Sequence, residues 1–490
     1  MWQYTSVIRL WQLSNMDDSP NTFFPGQLVA EVDTPSRPAQ PVNESERAPE
    51  VEQVALIASA VIAIAVMARP GLGLATTLSV VVVAASIAVR RTRSVMIWCA
   101  LSLTLVPWLV VRDNAWLAIS ILFTVALMVG LSLIAGASAS SIWDLSLRSI
   151  FTRGQARRTQ RTSITTSAAS RVTLGLIVAT PIVGGFYLLL ASADAVFASI
   201  FDLSALPVAR FVIFVAAAVA ATVLLRFGAD GRKGVKPLAK QRFGSLEATV
   251  VLGAVSVLFT AFIAVRFATI GRPLDDLGLR SEVRSGFFQL LWVAALTVVL
   301  ILAIREVCAE AMTRMVQNLG LLTIALASVI DALALYRIWQ YVDQSFLTQL
   351  RVWSFGFGLW LLIVLALTAI RLGGFRSTSN WFTGALVMSW MVFVLAMAAT
   401  NPDVRIVEYN FANPPTGADE WISVIPLIEI SEDATPLIVE NIDVLRPLPN
   451  NRFQRVVDHL CATGADTDVR NFNFGRRSAT AATQTLCGPN

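Results

Sequence analysis

The chain has 490 residues, of which 55% are hydrophobic and only 14% are charged, whereas an ordinary soluble domain has about 25% charged residues. This composition indicates an integral membrane protein. The formal net charge of +5 falls mostly in short loops between apolar runs, where it reports topology rather than nucleic-acid binding. The one histidine, His459, and four scattered cysteines argue against a histidine-rich metal centre, a Ser/His/Asp triad and a zinc cluster. We therefore expect no catalytic residues, no metal and no cofactor.

The first 50 residues are polar and rich in proline, which is typical of a disordered tail. No basic segment leads into an apolar stretch and a cleavage site, so we do not interpret this region as a signal peptide. The sequence predicts a disordered cytoplasmic tail over residues 1–50.

Apolar runs then follow one another over residues 51–400. A helix needs about 20 apolar residues to cross a hydrocarbon core of about 30 Å. The runs that approach this length cover residues 54–68, 71–89, 95–111, 115–139, 172–191, 208–225, 246–267, 286–304, 319–335, 352–370 and 382–400. They predict an all-α fold, a polytopic transmembrane helix bundle of about 11 spans. Arg69-Pro70 leaves a very short turn after the first run, so a re-entrant pair is an alternative for the first two.

Positive residues alternate between loops, which predicts the orientation of the chain, because basic loops are retained in the cytoplasm. The loops rich in Arg and Lys are residues 90–93, 148–161, 232–242 and 371–376. The loop of residues 193–207 has two Asp and no basic residue, and residues 270–285 balance both signs. We expect a cytoplasmic N-terminus and an extracytoplasmic C-terminus.

The last segment, residues 401–490, is no longer membrane-like. Asn401-Pro402-Asp403 follows the last apolar run and has the features of a helix start, namely a capping residue, a proline and a first-turn carboxylate. A second helical segment follows Ser431, and Phe453, Val456, Val457 and Leu460 have the spacing of a third. We predict a small extracytoplasmic helical domain.

Two cysteines of this tail, Cys461 and Cys487, would lie in an oxidising compartment under the predicted orientation. A disulfide between them would stabilise the tail by about 3 kcal/mol through the entropy of the unfolded chain. The alternative is two unrelated free thiols.

Several stretches resemble a family of bacterial multi-pass membrane proteins known as a domain of unknown function, which has an Asn-Pro-Asp junction after its last span. The matching stretches are residues 257–262 with Arg266, residues 279–290, Tyr336-Arg337 with Tyr341, residues 347–351, Asn401-Pro402-Asp403 with Asn410, and residues 431–437. The chain departs from the family pattern at Arg266, where a Gln is usual, and at Phe346, where a Gly is usual. The resemblance implies a membrane location and an outer tail, and it implies no activity.

Charged residues inside or beside the spans are the candidate functional residues, because a charge in a bilayer is costly unless it is paired or solvated. Asp331 lies deep in the run of residues 319–335, and we interpret it either as a structural partner of an Arg on a neighbouring helix or as a substrate or proton site. Four arginines fall at predicted outer span ends, where they could bind an anionic headgroup or a partner: Arg266, Arg284, Arg337 and Arg351. Side chains that snorkel towards water are the alternative for these arginines.

Three functions remain open from the sequence. The favoured one is a non-enzymatic envelope protein, in signalling or assembly, that uses the outer arginines and the C-terminal domain. Its partners would be the lipid bilayer and an envelope protein or anionic lipid, and not nucleic acid. The alternatives are a secondary transporter of a small solute and a membrane enzyme for a lipid-linked substrate, with Asp194, Asp275 or Asp276 as base.

Overall fold

The computed structural model describes residues 70–88, 93–137, 168–200, 244–269, 286–307, 312–344, 346–374, 381–413, 427, 430–446, 450–462 and 468–488. All of them belong to one unit of the chain, Glu50–Asn490. The predicted N-terminal tail, the apolar runs of residues 54–68 and 208–225, and Arg284 lie outside the described residues.

Helices are the only regular secondary structure in this described part. The apolar region contains α1 Leu72–Ala88, α2 Arg93–Leu103, α3 Trp108–Val111, α4 Ala115–Ala137, α5 Ala168–Ala193, α6 Ala195–Ile200, α7 Ser245–Thr269, α8 Gly286–Val307, α9 Arg314–Gln344, α10 Gln349–Gly373 and α11 Trp381–Thr400. The tail contains α12 Pro402–Ala412, α13 Thr435–Glu440, α14 Asn450–Ala462 and α15 Phe474–Cys487, with short 3₁₀ turns at Glu432–Ala434, Ile442–Leu445 and Val469–Asn471.

Six helices of the described part, α5 and α7 to α11, are long and apolar enough to cross a membrane, and three shorter apolar segments lie in α1, α2–α3 and α4. A helix satisfies all its backbone hydrogen bonds internally, which is what a hydrocarbon solvent requires. The predicted all-helical multi-pass membrane fold is therefore confirmed. Nine of the predicted runs coincide with these segments.

The bundle packs as two groups of helices. Buried side chains of α5, α7, α8, α9 and α10 form one core, and those of α1 to α4 and α11 form a second core that also includes Trp353 of α10. Close approach depends on small residues, as membrane helix interfaces generally do. A Cβ atom at Gly358 of α10 would lie 2.6 Å from Leu335 Cδ2 on α9, so a larger residue would separate these helices.

Tail helices pack together and onto one end of the bundle, which we call the tail end. It is the end at which α5, α7 and α9 finish and at which α8 and α10 begin. The tail has its own apolar core, which includes Ile438, Leu445 and Val456. The chain enters it at Asn401, whose φ of 48° is left-handed and whose side chain makes no capping hydrogen bond. Asn401 thus occupies the predicted cap position without capping, because its backbone makes a sharp turn there.

Candidate functional site

The tail end of the bundle contains a buried ionic cluster, which we call the Asp194 clasp: Asp194, Arg266 and Arg337. Asp194 follows the last residue of α5, and its side chain is 2% exposed. Its Oδ2 accepts a hydrogen bond from Nη1 of Arg266 at 2.7 Å and another from Nη2 of Arg337 at 2.7 Å. One carboxylate oxygen therefore joins the ends of α5, α7 and α9.

Further contacts fix the clasp in place. Asp194 Oδ1 accepts the backbone N–H of Phe197 at 2.9 Å, and Arg337 Nη1 donates to the carbonyl oxygen of Ala193 at 2.7 Å. Gly286, the first residue of α8, is pressed against the same carbonyl, since a Cβ atom there would lie 2.2 Å from it. The clasp thus requires glycine at position 286 and brings a fourth helix to the cluster.

The arrangement favours a structural role for Asp194 over the base role that its sequence position had raised. Its two oxygens accept three hydrogen bonds, two of them from guanidinium groups, so removing a proton from a substrate would require breaking an ion pair. Two guanidiniums thus share one carboxylate oxygen. Arg266 and Arg337 are only 19% and 11% exposed at their side chains.

The tail docks through a second buried group of polar residues, the Asp403 hub: Asp403, Asn114, Gln349 and Ser431. Asp403 is fully buried. Its Oδ2 accepts Asn114 Nδ2 at 2.8 Å and also the Ser431 hydroxyl, and its Oδ1 accepts Gln349 Nε2 at 2.7 Å. Four separate parts of the chain meet at this carboxylate. Ser431 therefore binds Asp403, and its side chain makes no capping hydrogen bond to the turn that follows it.

Asn410 of α12 provides a second link between the tail and the bundle. Its Oδ1 accepts the backbone N–H of Leu347 at 2.8 Å, and its Nδ2 donates to the carbonyl oxygen of Leu347 at 2.9 Å. The segment between α9 and α10 is thereby held against the tail.

Arg476 of α15 makes a further set of contacts between the tail and the bundle. It is buried, pairs with Asp113 at 2.8 Å, and donates to the carbonyl oxygens of Asn471 and Pro70. Asn473 Nδ2 donates to the carbonyl oxygens of Leu109 at 3.0 Å and of Arg112 at 2.9 Å. The turn before α4 is thus bound to the tail through the side chain of Asp113 and through the carbonyl oxygen of Arg112.

Asp433 lies between these groups and is incompletely satisfied. Its Oδ1 accepts the backbone N–H of Asp113 at 3.0 Å, whereas its buried Oδ2 has no hydrogen-bond partner. Burial raises the pKa of the Asp433 carboxyl to about 6, and the hydrogen bond from Asp113 opposes this rise. We therefore expect the charge of this carboxyl to change at about pH 6.

The predicted arginines that the structure describes make different contacts. Arg266 and Arg337 meet at Asp194, whereas Arg351 donates to the carbonyl oxygen of Phe346 in the segment before its own helix. Cys461 and Cys487 are bonded to each other in the structure, with Cα atoms 5.9 Å apart. This bond joins the last turn of α14 to the end of α15.

Asp331 lies in the core of the bundle, away from any pairing arginine in the described part of the chain. It is fully buried on α9, and neither carboxylate oxygen has a hydrogen-bond partner. The predicted structural pair with an Arg is not seen among the described residues. No group of three His, Cys, Asp or Glu side chains within that part is arranged to hold a metal ion.

The family model described as Domain of unknown function (DUF4153) matches residues 77–441 of the chain. This match covers most of the bundle and the first tail helices, including the Asp194 clasp and the Asp403 hub. No curated protein and no solved structure matches the chain.

Proposed function

The chain belongs to the DUF4153 family of membrane proteins, and on that premise we propose that it is a non-enzymatic component of the bacterial cell envelope. The proposed role is to present the tail as a fixed platform to a partner protein at the outer face of the plasma membrane. The basic sequences of residues 148–161 and 232–242 support this orientation, because they precede α5 and α7, which begin at the end of the bundle away from the tail, and basic loops are retained in the cytoplasm.

The Asp403 hub is the observation that carries this proposal. A tail that served only as a soluble extension would need no buried carboxylate that joins it to two parts of the bundle, at Asn114 and at Gln349. Such a network instead fixes the position and angle of the tail, and a surface that is already ordered loses less conformational freedom when it binds. The Asp194 clasp stiffens the bundle end beneath this platform.

The exposed face of α14 is the surface that we assign to the partner. It carries both signs of charge, since Arg455 and Asp458 are exposed beside His459. Mixed charge favours a protein partner over a uniformly anionic lipid surface. The Cys461–Cys487 bond joins α14 to α15, and Arg476 of α15 pairs with Asp113. Helix α14 is thereby fixed to the turn that also contains Asn114 of the hub.

Photocrosslinking in living cells tests this assignment. A crosslinking amino acid at Arg455 or Asp458 should give an adduct of defined mass, and a crosslinker at Val257, which is 71% exposed on α7, is the matched lipid-facing control. The adduct should disappear when Asp403 is changed to Ala, provided that the variant still accumulates. Absence of a defined adduct at both α14 positions would contradict a platform function.

Thiol labelling tests the orientation separately. A variant that keeps only Cys461 and Cys487 should react with a membrane-impermeant reagent on intact cells after reduction and not before it. Labelling that requires cell lysis would place the tail in the cytoplasm and overturn the outer location.

A proton-coupled transporter is a second candidate, and Asp331 is the observation that favours it. An unpaired carboxyl inside a membrane span is costly and is found at proton and ion pathways. Infrared spectroscopy of the purified protein should show the carbonyl band of a protonated carboxylic acid that is absent in Asp331→Asn. Rapid shift of this band in D₂O would show that water reaches Asp331 and would support transport, whereas a band that does not exchange would argue against it.

A further inference from the structure

Among its described residues, the tail carries one exposed apolar patch, at the point where the 3₁₀ turn Val469–Asn471 leads into α15. Val469 is 72% exposed and Phe474 is 56% exposed, and the ring of Phe474 lies edge-on to that of Phe472 at 5.2 Å between centroids. Every other large hydrophobic side chain that is exposed among the described residues belongs to α1–α11. In a membrane bundle those side chains face lipid, so the tail patch has the chemistry of the lipid-facing surface.

The patch also lies at the end of a lipid-facing helix surface. The backbone N–H of Leu72 in α1 donates to the carbonyl oxygen of Phe472 at 2.9 Å, and a Cβ atom at Gly73 would lie 3.0 Å from the carbonyl oxygen of Arg470. Val80 and Val83 on α1 are exposed, and residues 73, 76, 80 and 83 share one helix face by their spacing. The tail segment therefore rests on the first turn of an exposed apolar stripe.

An apolar groove continues from this contact between α1 and the break that separates α2 from α3. It has a volume of about 490 Å³ and is lined by Leu72, Thr76 and Val80 on one side and by Leu103, Val106 and Pro107 on the other. The Thr76 hydroxyl donates to the carbonyl oxygen of Gly73 at 2.9 Å, so the groove presents mainly hydrocarbon. The apolar surface is thus continuous from the groove, through Leu72, to the tail patch.

Charge does not oppose contact with a membrane here. Arg470 and Asp468 form an ion pair at 2.6 Å, so the charges on the two sides of Val469 neutralise each other. A segment with exposed apolar side chains and a neutralised polar edge is suited to the layer where headgroups meet acyl chains.

We propose that residues 468–474 form a membrane-interface anchor, in which Val469 and Phe474 insert into the leaflet on the tail side of the bilayer. The occupant of this surface is phospholipid, with acyl chains that continue into the groove below. The anchor ties the tail to the lipid in addition to the protein contacts of the Asp403 hub. It does not depend on the proposed partner at α14.

Spin-label accessibility tests the anchor in the full-length protein, reconstituted in nanodiscs of phosphatidylcholine and phosphatidylglycerol. Cys99 and Cys308 are replaced by Ala, and the Cys461–Cys487 bond is kept. A nitroxide is then attached to Val469→Cys or Phe474→Cys, with Val257→Cys as the membrane reference and Arg455→Cys as the tail reference. All four positions are exposed, so the labels need not disturb the core.

Collisions of the label with oxygen, which partitions into the bilayer, are compared with collisions with a water-soluble nickel complex. The oxygen-to-nickel ratio at positions 469 and 474 should lie closer to that at position 257 than to that at position 455. A ratio at both positions equal to that at position 455 would overturn the anchor. A Phe474→Ser variant labelled at position 469 gives an independent test, since its ratio should fall towards that at position 455 if the anchor exists and stay unchanged if it does not.

Discussion

Asn114 and Asp403 are separated by 289 residues in the chain and are joined by a buried hydrogen bond of 2.8 Å. Asn114 precedes α4, near the start of the bundle, whereas Asp403 lies in the first turn of the tail. The same Asn114 side chain accepts the backbone N–H of Leu117 at 2.8 Å through its Oδ1. It therefore begins α4 and binds the tail at the same time, so the geometry of the early bundle and that of the tail are linked.

Asp403→Ala should destabilise the protein by roughly 3 kcal/mol or more, because it leaves the donors of Asn114, Gln349 and Ser431 without their acceptor in a buried place. We expect limited proteolysis to release the tail from this variant while the bundle stays in the membrane. Glu408→Ala is the matched control, since Glu408 is in the same helix and forms an exposed pair with Arg405. A Glu408→Ala protein should behave as the wild type, and equal stability of the two variants would contradict the hub.

Asp194→Ala should be more harmful than loss of either arginine, because it removes the one carboxylate that Arg266 and Arg337 share in a buried place. Removing one partner of a buried ion pair costs about 3–5 kcal/mol. Arg266→Gln should cost about 1 kcal/mol or less, because a neutral Asp194–Arg337 pair remains and the amide can still donate a hydrogen bond. Thermal unfolding of the purified protein in detergent measures both variants. A larger loss for Arg266→Gln than for Asp194→Ala would show that the arginine has a role outside the clasp.

Gly286→Ala should lower stability by about 1–3 kcal/mol, because the added methyl group would press on the carbonyl oxygen of Ala193 and force α8 away from α5. The same carbonyl accepts Arg337, so the substitution should also weaken the clasp. Gly253→Ala is the matched control within α7, since a Cβ atom at Gly253 would have no neighbour within 4 Å. Unfolding temperatures that fall equally in both variants would contradict a specific contact at position 286.

Asp433 should make tail docking depend on pH. Its carboxyl has an ordinary pKa of 3.8 and a pKa of about 6 in the folded protein, so the folded state binds the proton more tightly than the unfolded state. Stability should therefore fall as the pH rises from about 4 to about 6 and stay low above that range. Asp433→Asn removes this titration and should be more stable than the wild type at pH 7 by about 1–3 kcal/mol.

Release of the tail by protease, followed from pH 4 to pH 8, measures this effect. The wild type and Asp433→Asn should release the tail equally at the acidic end and should separate as the pH rises from about 4 to about 6. Asp443→Asn is the control, because Asp443 lies in the same tail and forms an exposed pair with Arg446. A constant difference between the Asp433 variant and the wild type at every pH would contradict titration of Asp433.

The helices of the bundle could be predicted from the sequence, because a span is a continuous apolar run and needs no long-range partner to be recognised. Helix α15 of the tail was not predicted. Its sequence has few large apolar residues, and its buried positions are Gly475, Arg476, Ala479 and Thr483. A helix that is held by polar contacts has no apolar periodicity, so the pattern that reveals other helices is absent.

The partners of the charged residues could not be predicted in the same way. Arg266 and Arg337 stood out as charges at span ends, but the residue that joins them lies 72 and 143 positions earlier in the chain. Asp403 had a sufficient local explanation, the positive end of a helix dipole, which concealed its contacts with three distant residues. A concentration of polar residues at positions 112–114, between two apolar runs, was the signal that could have indicated a docking point.

The separation between Asn114 and Asp403 also sets an order of events during synthesis. At about 5–20 residues per second, roughly 15–60 s pass between translation of the first residue and translation of the second. During that interval Asn114 lacks its acceptor, Asp403, and for still longer Asp113 lacks its donor, Arg476. The tail end is therefore the last part of the protein to close, and a chain that stops after its final span would keep open polar groups by which a quality-control protease could distinguish it from the finished protein.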